Sequence, residues 1–201
     1  EENLEACELL VLEDEGRGEA SEDKAAVNLM DEDGLTPLHM AVRLGNKAAV
    51  EALLRHPRIK ADTQDRHHHT PLLSAVLSSR RDLAELLLRR GAQPCPAGLA
   101  SGLSVLFAVV DREDLEAIRL LLRHGHVNAQ DSVGNTLLHW AVIKHSPQVA
   151  GLVLDHGALV SLRNADGCLV TDLAVEFGFK QLEDLIARAD GRTASRVYRD
   201  G

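Results

Sequence analysis

The chain has 201 residues, 45% of them hydrophobic but only 2% aromatic, and a formal net charge of −9. That hydrophobic share excludes wholesale disorder, and the scarcity of rings disfavours an aromatic-rich β-sandwich over helices packed closely through Leu, Val, Ile and Ala. Residues 1–35 carry 13 acidic and 2 basic side chains while the remaining 166 are nearly neutral, so a broad surface for nucleic-acid phosphates is not supported.

In chain order, "LEACELLVLE" (4–13) reads as an amphipathic helix, and "EDEGRGEASEDKAA" as a polar loop. Residues 1–26 are therefore expected to form an acidic capping helix and flexible loop. The phrase "DEDGLTPLHMAV" (31–42) follows, with Asp31 and Gly34 suited to a tight turn. Thr36 predicts an N-cap and Pro37 the first helical position. This short helix should end near Leu44–Gly45, and a second places Val50, Leu53 and Leu54 on one stripe.

Nearly the same phrase returns as "DSVGNTLLHWAV" (131–142). Aligned on an alanine, the copies fall at Ala41, Ala75, Ala108, Ala141 and Ala174, with intervals of 34, 33, 33 and 33 residues. A second signal keeps step: "VEALLRHP" (50–57), "AELLLRRGA" (84–92), "IRLLLRHG" (118–125) and "AGLVLDHGA" (150–158). Gly91, Gly125 and Gly157 stand just after these helices, where a left-handed cap belongs. Two signals in phase predict a stacked array over 27–189, with units beginning near 31, 65, 98, 131 and 164 and a polar tail at 190–201. Neither helix of a unit can bury its apolar stripe alone, and stacking does so at roughly 1.5–3 kcal/mol for each fully buried Leu or Val.

These phrases identify the chain as similar to ankyrin-repeat proteins. The resemblance implies an all-α solenoid of about five helix-turn-helix units with β-hairpin fingers. It also implies a concave face of fingers and first helices that binds proteins, and a structural role for His39 and His139 between units. Asn28 and Asn128 match the loop asparagine that such proteins can present for β-hydroxylation. Some units depart from the pattern. Unit three lacks Thr-Pro, predicting a poorly capped helix, and its "VVDREDLEA" suggests one extra residue between its helices, with one fewer after Gly125. Unit five has "LVTD" for "TPLH", and Glu183 and Asp184 suit a terminal unit whose outer side meets water.

Two or three residues beyond each alanine stand Leu44, Leu77, Val110, Ile143 and Phe177, an apolar row expected along the groove. Arg43, Asp111 and Lys144 adjoin it. The finger tips grade from acidic (Glu32, Asp33) to basic or titratable (Arg66, His67, His69), then apolar (Leu99, Ala100), then neutral (Val133, Asn135). The three consecutive histidines 67–69 admit a metal site or a solvated tip that touches a partner. Neighbours in an extended finger point alternately, which favours the tip, and His68 in place of the turn glycine predicts a strained or reshaped finger.

No phosphate loop, Cys-x-x-Cys pair or nucleophile with a base is evident, so no enzyme, metal or cofactor is expected. Three distant cysteines, Cys7, Cys95 and Cys168, read as reduced thiols of a cytoplasmic or nuclear protein. The start at Glu1 suggests a fragment or processed chain. The leading expectation is an adaptor or regulatory module, monomeric on its own, that binds a protein or peptide segment without contacting nucleic acid or inserting into a membrane. Two alternatives stay open: a regulatory or targeting domain of a larger enzyme or channel, and an inhibitor-type transcriptional regulator that masks a basic segment.

Overall fold

The computed structural model describes residues 27–95 and 104–197, with the backbone alone for 190–197. The expected capping helix and loop at 1–26, and Leu99 and Ala100 of the third finger, lie outside the described residues. The described residues form ten α-helices: α1 (Pro37–Leu44), α2 (Lys47–Arg55), α3 (Pro71–Leu77), α4 (Arg81–Arg89), α5 (Val105–Asp111), α6 (Leu115–Arg123), α7 (Leu137–Ile143), α8 (Pro147–Asp155), α9 (Val170–Glu176) and α10 (Lys180–Val197). They divide between Leu103 and Ser104 into two compact bodies, with two helix pairs in the first and three in the second.

The first helix of each pair starts where a side chain takes up orphan N–H groups. The hydroxyls of Thr36, Thr70 and Thr136 accept from the backbone N–H three residues on. Ser104 does the same for Phe107 at 3.0 Å, so the third unit is capped after all. Leu169 has no hydroxyl, and there Asp172 Oδ2 reaches back to accept the Leu169 N–H at 2.9 Å.

Each first helix then stops at a left-handed residue: Gly45, Ser79, Glu113, His145 and Gly178, with φ between 49° and 74°. The next N–H turns back onto a carbonyl of the helix: Asn46 onto Ala41, Arg80 onto Ala75, Asp114 onto Val109, Ser146 onto Ala141 and Phe179 onto Ala174. This bond sets the register. The third unit's counterpart of Ala41 and Ala141 is Val109, not Ala108. Its extra residue therefore precedes Ser104 and does not lie between the helices, as the sequence suggested.

The fingers are turns without strands. Among the described residues the only β pairing is an isolated bridge between Arg163 and Leu169. Four turns share one scheme in which a side-chain oxygen replaces the ladder. Asp31 Oδ1 accepts from the N–H groups of Asp33 and Leu35. Asp65 does so for His67 and His69, Asp131 for Val133 and Asn135, and Asn164 for Asp166 and Cys168. His68, at φ 61°, holds the turn place that Gly34 and Gly134 hold elsewhere, with the same bonds around it. The finger is strained at that residue, by about 1 kcal/mol, but not reshaped.

Consecutive turns also bond to each other within a body. Arg66 N–H donates to the Asp33 carbonyl at 3.0 Å, and Ala165 N–H to Val133 at 2.9 Å. Gly134, at φ 73°, is what allows the second approach, because a Cβ there would lie 2.6 Å from the Ala165 nitrogen. Replacing Gly134 with Ala should cost about 2 kcal/mol, from left-handed strain and a broken inter-turn bond. Urea unfolding followed by the chain's single tryptophan, Trp140, checks this, and an unchanged midpoint would refute it.

Packing repeats by helix rank. In the first body α1 lies on α3 and α2 on α4; in the second α5, α7 and α9 pack in series and α8 lies on α10. Leu38, Leu72, Leu106 and Leu138 are fully buried between these layers. On the loop side, polar side chains staple unit to unit. Asn28 donates to Arg58 O and accepts Lys60 N–H, Asp62 accepts Gln93 N–H, and Asn128 accepts Leu159 N–H, at 2.8 to 3.0 Å. Helix α10 runs to Val197, so residues 190–197 of the expected tail continue it.

Candidate functional site

Each body presents a face built from its turns and first helices. In the first body this face holds a cleft of about 370 Å³, lined by Asp33, Leu35 and Arg43 of one unit and by Asp65, His67, His69, Ser74, Leu77 and Ser78 of the next. The turn bonds of Asp65 fix the position of His67 and His69, whose rings stand 6.0 Å apart. The His69 carbonyl is held from below by His39 Nε2 at 3.0 Å. Among the described residues no three His, Cys, Asp or Glu side chains gather in a way that could hold a metal ion.

In the second body the same face is aromatic. Phe107 on α5 meets Trp140 on α7 edge to face at 4.9 Å. Lys144 Nζ lies 4.7 Å from the Phe107 ring centre and 2.5 Å from Asp111 Oδ1. The Trp140 indole donates to Asp131 Oδ2 at 2.7 Å, and the Ser104 hydroxyl donates to the same oxygen at 3.3 Å. Further along, His145 stacks on Phe179 at 3.9 Å, and Phe179 touches Phe177 at 5.6 Å.

The structure gathers Asp33, Arg43, His67, His69 and Leu77 in the cleft, with Glu32 and Arg66 exposed on the turns above it. Asp111 and Lys144 form the ion pair, beside half-exposed Ile143. Leu44, Val133 and Phe177 are exposed, at 50%, 45% and 45%. Two expected residues fail. Val110 is 1% exposed, because the register at Val109 makes it the counterpart of buried Val42, Val76 and Val142. Asn135 is 5% exposed, and its side-chain oxygen accepts from Asn164 Nδ2 at 3.2 Å, so it joins turns and does not form a tip. The sequence reading also missed Asp65 and Ser74 in the cleft and Phe107 and Phe179 on the second face. Aligning the third unit by its cap hydroxyl, Ser104, instead of its alanine would have placed Phe107 in register with His39 and His139.

His39 and His139 are fully buried, each accepting at Nδ1 from the N–H of its capping threonine. That leaves Nε2–H to donate across to the next unit, to His69 O and Cys168 O. Burial holds both imidazoles below their ordinary value, with the carbonyl bonds pulling part of the way back. Burial likewise lowers His126, next to His124, and raises the Asp62 carboxyl against the Gln93 bond. None of the described helices is long and apolar enough to cross a membrane.

Comparison with known proteins agrees with this geometry. A family model described as ankyrin repeats (3 copies) matches residues 1–97 and 95–164. Human Rabankyrin-5 is 31% identical over 140 residues, covering 68% of this chain and 12% of that protein. Mouse neurogenic locus notch homolog protein 1 is 31% identical over 163 residues, covering 74% of this chain and 6% of that protein. The chain thus spans a small part of the length of these relatives. The solved ankyrin repeat domain of Bcl-3, from the IkappaB protein family, superposes with a TM-score of 0.71 at 25% identity, over 92% of this chain and 77% of that one. Ankyrin repeats generally serve as protein-binding modules, and by motif, turn and helix pairing this chain belongs to the ankyrin-repeat family.

Proposed function

We propose that the chain is a non-enzymatic adaptor or regulatory module that binds a protein segment on its turns and first helices. One observation carries this reading. All three phenylalanines and the single tryptophan lie on or beside the first-helix face of the second body, and none of the four is buried. A chain short of rings has placed them at its surface, not in its core. Aromatic groups left half-buried or exposed on one face are the composition of an interface centre. His39 and His139, the most chemically suggestive side chains, are committed to holding units together.

The test replaces Ile143 with Glu and Phe177 with Ser, both outside the buried core. Partners captured by the wild-type chain should be lost from this double variant while thermal stability stays nearly unchanged. Equal capture by both would overturn the reading. A second reading, a regulatory or targeting domain within a larger enzyme or channel, is favoured by relatives many times longer than this chain. A catalytic or channel domain in the full open reading frame would decide for it. The free thiol of Cys168 supports a cytoplasmic or nuclear setting.

A further inference from the structure

We propose that the cleft of the first body is a socket for an arginine side chain of the bound segment, with Asp65 as its acceptor. The proposal deepens the protein-binding reading and rests on it. Its basis is a comparison of two turns in the same chain.

Asp65 and Asp131 hold equivalent turn positions, and each uses Oδ1 to accept two turn N–H groups. They differ at Oδ2. In the second body Asp131 Oδ2 receives the Trp140 indole and the Ser104 hydroxyl. In the first body the residue at the place of Trp140 is Ser74, which leaves room where the indole would be. The hydroxyl at the place of Ser104 is that of Thr36, and it is occupied 2.9 Å from His39 Nδ1. Ser104 is available only because Phe107 stands where that histidine would be. Asp65 therefore lacks both donors, and among the described residues its Oδ2 has none. The residue is nonetheless 9% exposed and lines the cleft.

No buried side-chain oxygen among the described residues lacks a partner, so Oδ2, having none, opens into the cleft, where a charged donor from outside can reach it while Oδ1 keeps the turn. The Asp33 carboxylate lines the same cleft, and Arg43 is the one lysine or arginine that lines it. A guanidinium matches this demand better than an indole or an ammonium. It is flat, like the ring that fills the equivalent space in the second body, and its fan of N–H groups can serve Asp65 and Asp33 together.

The test uses the full chain and N-acetyl-arginine amide as the probe, followed by chemical-shift changes at the His67 and His69 amides. Saturable shifts are expected, with the citrulline analogue, which keeps the shape and loses the charge, roughly tenfold weaker or worse. Asp65→Asn preserves the turn, as Asn164 shows in the fifth unit, but presents an amide donor at Oδ2, and should lose the shifts. Ser74→Trp should fill the socket from within and lose them too, without a fall in melting temperature. No saturable shift in the wild type, or equal shifts with citrulline or in Asp65→Asn, would overturn the socket. Partner capture by the wild-type chain alongside that result would leave the broader binding reading standing.

Discussion

Replacing Asp131 with Ala should lower the stability of the second body by about 3 kcal/mol, from the loss of four hydrogen bonds to one carboxylate. Oδ1 accepts from Val133 and Asn135 at 3.1 and 2.9 Å and shapes the turn; Oδ2 accepts from Trp140 and Ser104 and ties the turn to α7 and α5. The two oxygens can be separated experimentally. In Asp131→Asn the amide oxygen keeps the turn bonds, as Asn164 does, while its NH₂ faces two donors. That variant should retain about half of the lost stability. Urea unfolding read by Trp140 fluorescence measures both, since Trp140 lies in the affected body. Equal midpoints for wild type and Asp131→Ala would show that the carboxylate is not what holds the turn to the helices.

The same comparison shows what could be read before the structure. The thirty-three-residue period, the threonine caps and the glycines after the second helices were all legible, because each is a local requirement met by one residue type. The register of the third unit was not. Ala108 and Val109 are both small, buried and helical, at 2% and 0% exposure, so an apolar pattern cannot choose between them. The choice is made by a backbone bond, Asp114 N–H onto Val109 O, which leaves no mark in composition. That one-residue slip carried Val110 into the expected groove. Strands were expected in the fingers because the resemblance implied hairpins. In this chain the aspartate and asparagine oxygens bind the turn N–H groups directly, and a ladder has little left to pair. The cleft was half visible. Its charged rim stood out in the sequence, whereas the vacancy at Ser74 acquires meaning only once Trp140 is seen in the equivalent place.

His139→Ala should destabilise the second body by about 3 kcal/mol, combining a cavity with unpaired buried groups on both sides of the ring. The imidazole is 0% exposed, caps α7 through Thr136 and reaches the Cys168 carbonyl of the next unit at 3.3 Å. The wild-type ring also makes stability depend on pH. Burial holds the folded imidazole below the unfolded value of about 6.5, so between those two values the unfolded chain binds more protons than the folded one. Its contribution is therefore complete above pH of about 6.5 and is lost as pH falls through the lowered folded value. His126, lowered in the same direction, adds to the slope. The Trp140-reported urea midpoint of the wild type should fall as the solution is acidified below that point. In His139→Ala it should start lower and fall less steeply, keeping the share that belongs to His126. A wild-type midpoint that is flat across this window, or a variant with the same slope as the wild type, would mean that burial does not lower this ring's affinity for protons in the folded protein.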